Sequence, residues 1–421
     1  MQKIELNKVD QELYYDVISN GLSVYMVVNK NVKDFHISFT TKYGGIHTEF
    51  KINDKYYKVS DGIAHFLEHV NFNYNDEVTA HDLFKELGSN INAYTTYDHT
   101  SYWVSSNNNL KKNLNLLLDY VQKGYFTEKN IAKEKGIIVE EIRRANNDVD
   151  RKSFYATNES LYVKDKRRLT VLGEEKDVNG ITLEEVKLVH DNFYRPDNMF
   201  VVVTGNFNPE EVINIIEENQ KNKQFNTNKV EIIKEKEPVE VNKKLIEIKD
   251  KQVEIPRIIL NYKFDIHKFE NLDLELLEDV LNIIFDSNIG YTSDLREKMD
   301  KEDLVSSMFY NIELLEDVII VSIYMQSNNR EKATEIVRDK MKNLQVSLEE
   351  LERKRRVSIA NLIHGYDFIR RVNSDIVFSV VKYNRVNANL FDLYNSVCLE
   401  DVKKVISLLD FSNESLVILE K

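Results

Sequence analysis

Two histidines and a glutamate stand in the order H-x-x-E-H within His65-Phe66-Leu67-Glu68-His69. The flanking residues, Asp61-Gly62-Ile63-Ala64 before and Val70-Asn71-Phe72 after, predict one buried helix across the pentapeptide. Positions i and i+4 of a helix lie one above the other on the same face. His65 and His69 can therefore direct a ring nitrogen at one metal ion. Glu68 sits beside that face, placed to hold a water against the metal and not to bind the metal itself. That is the arrangement a zinc-activated water needs. Catalytic zinc takes three protein ligands and keeps one position for water. The chain has a single cysteine, Cys398, so the third ligand is expected to be a His, Asp or Glu from another helix.

The best candidate segment is Lys133-Glu134-Lys135-Gly136-Ile137-Ile138-Val139-Glu140-Glu141-Ile142-Arg143-Arg144. Glu134 and Glu141 are two turns apart on one helix face. Without the histidine motif the segment would read as a solvated charged helix. H-x-x-E-H is the inverzincin order. Followed by E-x-x-x-x-x-x-E, it resembles the pitrilysin/insulinase family of zinc metallopeptidases. The resemblance implies one Zn2+ per chain, held by His65, His69 and Glu141, with Glu68 as catalytic base and Glu134 as an auxiliary catalytic carboxylate. Because a helix turns about 100° per residue, only one of Glu140 and Glu141 can face the metal. His81 and His99 read as surface or satisfied histidines, since the three-ligand set is complete without them.

The resemblance extends through Tyr194-x-Pro196-x-Asn198-Met199 and through residues 88–102, which are similar to the family's edge strand beside the active site. There Asn92 and Ala93 are expected to present backbone groups to a substrate peptide, and an unpaired edge can take an extended peptide as an added strand. The family also places an Arg and, further on, a Tyr in its second half. Arg296 falls at the matching place, but the stretch after it is longer here; Ser306 stands where the Tyr is expected, with Tyr310 near. Two-domain members of the family close as two chains like a clamshell. The incomplete Arg–Tyr pair therefore implies a heterodimer with a second family chain, a homodimer being the alternative.

A chain of 421 residues with 42% apolar and 30% charged residues has the composition of a globular protein, and its length predicts two domains. A formal net charge of −13 argues against nucleic acid as partner, since that recruits basic surfaces. The stretch Met1-Gln2-Lys3-Ile4-Glu5-Leu6-Asn7 lacks an apolar signal core, and no run of about eighteen apolar residues would span a membrane. One cysteine rules out an internal disulfide framework. Together these features point to the cytoplasm.

The motifs need elements to hold them, and the chain carries one unit twice. In the first half, 22–40 reads as strands, 80–87 as a helix, 88–105 as strands, and 110–121 as a helix stopped by Gly124. In the second half, 255–264 reads as a strand, 272–285 and 293–298 as helices, 305–325 as strands and 330–344 as a helix. Asp82 to Leu87 matches Asp294 to Met299 in pattern, and Val104 to Asn109 matches Met325 to Arg330. The fold class is α+β: two similar sandwiches, each an antiparallel-rich sheet covered by helices. The domains are placed at 1–222 (metal-binding) and 251–421 (without the motif, having Glu278-Asp279-Val280-Leu281-Asn282 at the matching slot). Between them 223–250, rich in Lys, Glu and Asn and without an apolar period, reads as a linker. The expected function is a zinc-dependent endopeptidase or oligopeptidase acting on small unfolded peptides, such as leader or bacteriocin and pheromone peptides. The alternative is a non-catalytic peptide-binding or assembly subunit of a heterodimeric peptidase.

Overall fold

A computed structural model describes residues 1–6 and 9–421; Asn7 of the N-terminal stretch lies outside them. The chain divides into two compact units, and the division is not a single cut. The first unit holds Met1–Arg143, Thr170–Lys234 and Leu362–Asn389; the second holds Arg144–Leu169, Glu235–Asn361 and Leu390–Lys421.

The first unit is built on a seven-stranded sheet running, from one edge to the other, through Gln2–Glu5, Glu12–Val17, Ser23–Val28, Met199–Gly205, Phe35–Thr41, Thr100–Ser106 and Asn90–Thr95. All its pairs are antiparallel except Ser23–Val28 with Met199–Gly205. Strand alternation sends Ile37, Phe39, Tyr102 and Val104 to one face, where they are fully buried. His36, Ser38 and Thr40 go to the other face. Helix Ile369–Tyr383 covers that far face, packing Val372, Ile376, Val377 and Val380 against Leu13, Tyr25, Phe200 and Val202. Asn373, fully buried on the same helix, accepts from the Ser38 hydroxyl and donates to the Val202 carbonyl at 3.0 Å.

The second unit repeats the plan with five strands, in the order Leu245–Lys249, Glu414–Glu420, Arg257–Asp265, Val318–Gln326 and Ser307–Leu314. Helices Leu274–Ile289 and Arg330–Met341 pack on one face through Leu277, Leu281, Ala333 and Val337. Helix Val149–Leu161 covers the other, with Ala156 against Ile259, Val417 and Leu419. The pattern matches noted in the sequence fall on equivalent places. A short helix begins at Ala80 in one unit and at Asp294 in the other, and a strand ending at Ser106 or Gln326 leads into a helix starting at Leu110 or Arg330.

Two segment assignments made from the sequence are corrected. Helices Val149–Leu161 and Ile369–Tyr383 each belong to the unit built from the opposite half of the chain, because that is where their apolar faces are buried. Residues 223–250 are not a bare linker. Val230–Ile232 pairs with Glu49–Ile52, and Leu245–Lys249 pairs parallel with Glu414–Glu420, its Ile246 and Ile248 alternating inward between exposed neighbours. Two alternating isoleucines are too short a signal to stand out among so many charges. Among the described residues no helix is long and apolar enough to cross a membrane.

Candidate metal centre

The helix predicted around the pentapeptide is Ile63–Asn71. It is buried nearly all round, which its Ile, Ala, Phe, Leu and Val content requires. Gly62 starts it in the left-handed region, at φ 83°, and a Cβ there would meet the Leu172 carbonyl oxygen at 2.4 Å. Only glycine lets the two segments approach so closely. At the other end, the Asn71 amide donates to the Val121 carbonyl at 3.2 Å. These two contacts tie both ends of the helix to neighbouring segments.

Helix Glu128–Asn147 supplies the carboxylates. A Glu141 oxygen lies 3.7 Å from His65 Nε2 and 3.6 Å from His69 Nε2. The three residues offer ligand atoms that all lie within 4.8 Å of one another, the only such metal-capable group among the described residues. Two ligands of a tetrahedral zinc, each at about 2.0–2.2 Å, are separated by about 3.3–3.6 Å. The two Glu141–histidine spacings match that within a few tenths of an ångström and are too long for hydrogen bonds, and the histidine nitrogens lie within 4.8 Å of one another, so the residues fit a bound zinc ion. Glu140 is exposed and pairs with Arg143 at 2.6 Å, leaving Glu141 as the carboxylate that faces the histidines.

Glu134 is buried, and its oxygen lies 3.5 Å from Nδ1 of His69, the ring nitrogen not used toward Glu141. A carboxylate on one imidazole nitrogen fixes the tautomer and ring orientation and makes the other nitrogen a better ligand. Burial works against protonation of His69, but Glu134, Glu68 and Glu141 outweigh it and raise its pKa.

Glu68 is 7% exposed. Burial pushes its carboxyl above the usual carboxylate range, while a hydrogen bond from Thr95 opposes the shift. That bond, from Thr95 Oγ1 to Glu68 Oε2, is 2.6 Å long. Thr95 lies at the end of the edge strand Asn90–Thr95, on the same face as Ile91 and Ala93. Sequence reasoning had stopped at Asn92 and Ala93 and missed it. The period-2 alternation from Ala93 was the signal that could have found it. Asn92 is exposed on the opposite face, and its side chain accepts from the Ala93 N–H at 2.9 Å. Arg296 lies in the second unit, 9% exposed, with Nε on Asp300 at 2.9 Å and Nη1 on the Met308 carbonyl at 2.9 Å. Ser306 bonds to Gln326, and the Tyr310 hydroxyl reaches the Asn282 carbonyl at 3.4 Å. His81 stacks on Phe72, and His99 bonds Asp98 and Thr96, so neither joins the metal-capable group.

A His-His-Glu group at the spacing of metal ligands, set in one of two duplicated α+β units, defines a zinc-binding class of site. A profile of the insulinase family (peptidase family M16) matches residues 56–174, and one of the peptidase M16 inactive domain matches residues 180–358. The uncharacterized zinc protease YmfH of Bacillus subtilis is 34% identical over 315 residues, 73% of this chain and 72% of its own length. Zinc protease PqqE of Helicobacter pylori is 25% identical over 269 residues, 62% of this chain and 60% of its own. The crystal structure of an M16-like peptidase from Alicyclobacillus acidocaldarius superposes with a TM-score of 0.91 at 25% identity, covering 99% of this chain and 100% of that one. The chain belongs to the insulinase (pitrilysin) family, peptidase family M16.

Proposed function

We propose that this chain is a zinc-dependent endopeptidase that cuts short, unstructured peptides, with Glu68 as the general base. The observation that carries this reading is the buried Glu68 carboxylate, fixed by Thr95 and adjacent in sequence to one of the three clustered ligands. His65, His69 and Glu141 would hold a zinc ion, which would supply Lewis acidity toward a water and a peptide carbonyl. Thr95 occupies one Glu68 oxygen, which leaves the other to take the proton of the attacking water. A base in dry surroundings with a raised pKa holds that proton long enough to hand it to the leaving amine. Strand Asn90–Thr95 ends its sheet, so its outer backbone groups are open to an added strand. Only an extended chain can pair in that way, which favours peptides over folded proteins. A leader or pheromone peptide meets that requirement.

We also propose that a second family chain supplies the facing wall of the cleft. Arg296 already gives two donors to its own unit, and Ser306 replaces the expected tyrosine. Co-purification of a related chain, with activity rising when the two are mixed, is the expected result. Full activity of this chain alone would refute that part.

The test of the base is Glu68→Gln. It should abolish peptide hydrolysis while the purified protein keeps about one zinc per chain, because base and ligand are separate roles. Glu141→Ala should lose both. Hydrolysis surviving in Glu68→Gln would overturn the assignment.

A further inference from the structure

The edge strand has a second face. Side chains alternate along Asn90–Thr95, so Asn90, Asn92 and Tyr94 point away from the metal helix, and all three are exposed. On that far face Asn92 is paired across to Trp103, and Trp103 to Ser38. The covering helix Ile369–Tyr383 reaches the row at Ser38, where Asn373 holds it. Beyond Ser38 the helix reaches Trp103 only through the Arg370 side chain. Trp103 is left half-buried, and the strand beyond it is bare, so a shelf one strand wide runs along the sheet edge.

One cation stands at its margin. The Arg370 guanidinium lies over the Trp103 ring, 5.8 Å from the centroid. Arg370 is exposed and forms no ion pair among the described residues, in a chain whose net charge is −13. A guanidinium resting on an indole is held in place and partly dehydrated, which strengthens its pull on a carboxylate. The paired neighbours of Trp103 on that face, Asn92 and Ser38, are not acidic, nor is His36, which burial followed by Arg370 pushes down to about 4; the Asp98 carboxylate acts on Tyr94, farther along the shelf.

From this shelf we infer that the protein selects peptides carrying an acidic side chain on the face turned away from the metal, with Arg370 and Trp103 as the specificity-determining residues. A peptide added beside Asn90–Thr95 lays every second side chain on the shelf. The one facing Asn92 sits about 5 Å from it and about 10 Å from Trp103, one and two strand spacings away. Arg370 and an Asp or Glu side chain close that gap between them. The inference rests on the peptide-cleaving reading, and it supplies that reading with a substrate class.

Trp103 is the single tryptophan of the chain, so its emission reports directly on the shelf. The Glu68→Gln protein, loaded with zinc, is titrated with a neutral eight-residue peptide and with versions bearing Glu or Lys at each position in turn. Anisotropy of the labelled peptide gives binding, and Trp103 emission gives its location. At alternate positions Glu should bind about fivefold tighter than Lys, roughly what one half-exposed charge pair gained and one repulsion lost supply, with a saturable change in emission. Arg370→Glu should reverse the order, and Arg370→Gln should erase it. Binding with no Glu–Lys difference, or with an order that Arg370→Glu leaves unchanged, overturns the inference and leaves the peptidase reading standing. Failure of every peptide to bind overturns the edge-strand reading on which both rest.

Discussion

Asp279 lies in helix Leu274–Ile289 of the second unit, 8% exposed, with Oδ2 lacking any hydrogen-bond partner. Burial, reinforced by the neighbouring Glu278 carboxylate and only partly offset by Arg355, pushes its carboxyl from 3.8 up to about 7. An acid whose folded pKa is raised binds a proton in the folded state that the unfolded chain has already released. Its contribution to stability is therefore greatest below about pH 4 and falls as pH rises through the interval from 3.8 to about 7. A difference of about three pKa units corresponds to roughly 4 kcal/mol at pH 8, an upper figure because water reaches an ionised buried carboxylate. Asp279→Asn keeps the shape and removes the charge. Near pH 4 the variant and the parent should differ by less than about 1 kcal/mol; by pH 8 the variant should be the more stable by about 3 kcal/mol. Two units need not unfold together, so the measurement is hydrogen–deuterium exchange of peptides from residues 274–289, corrected for intrinsic rates. Protection of this helix in the parent should weaken between pH 5 and pH 8, and Asp279→Asn should restore it. Equal protection of the two proteins at pH 8 would refute the argument.

Other outcomes follow from the same geometry. Thr95→Val should lower kcat by roughly ten- to a hundredfold with little change in KM, Thr95→Ser should recover most of it, and zinc content should not change; a KM effect alone would show Thr95 to be a substrate contact. Glu134→Gln should weaken zinc affinity by about ten- to a hundredfold, read by competition with a chelator, because the oxygen facing His69 Nδ1 loses its negative charge. Lys263, whose side chain is 0% exposed, bonds Glu237 at 2.6 Å and the Leu161 carbonyl at 2.9 Å. Lys263→Met should cost about 3–5 kcal/mol in chemical denaturation by leaving the buried Glu237 carboxylate without its counter-charge, and a loss under 1 kcal/mol would contradict that.

The metal group was legible because helical spacing is rigid. An i, i+4 histidine pair and a seven-residue glutamate pair each define a face with no further information. The choice between Glu140 and Glu141 rested on resemblance until the structure set Glu140 against Arg143. Gly62 was not legible, since it acts on distant Leu172 through a missing Cβ; for Thr95, strand alternation could give its face but not its bond to Glu68. Much of the strand and helix order within 22–121 and 255–344 could be read from apolar periodicity, whereas Val149–Leu161, Ile369–Tyr383 and Glu414–Glu420 were not read. Which sheet Val149–Leu161 and Ile369–Tyr383 would cover could not be read, because an amphipathic helix names the face it buries and not the surface it meets. Asp279 marks the converse case: the slot without the motif looked merely empty of ligands, yet it holds a buried acid.

The helix contributed late to the first unit bears on how the protein is made. Residues 1–143 and 170–234 leave the ribosome with Tyr25, Phe200 and Val202 still uncovered, and their cover lies in 362–389. At about 5–20 residues per second, that helix emerges roughly seven to thirty seconds later. Through that interval the nascent metal-binding half shows an apolar sheet face to the cell, and it is then that a holding chaperone would be needed. A fragment ended at the middle of the chain would stay in that condition permanently.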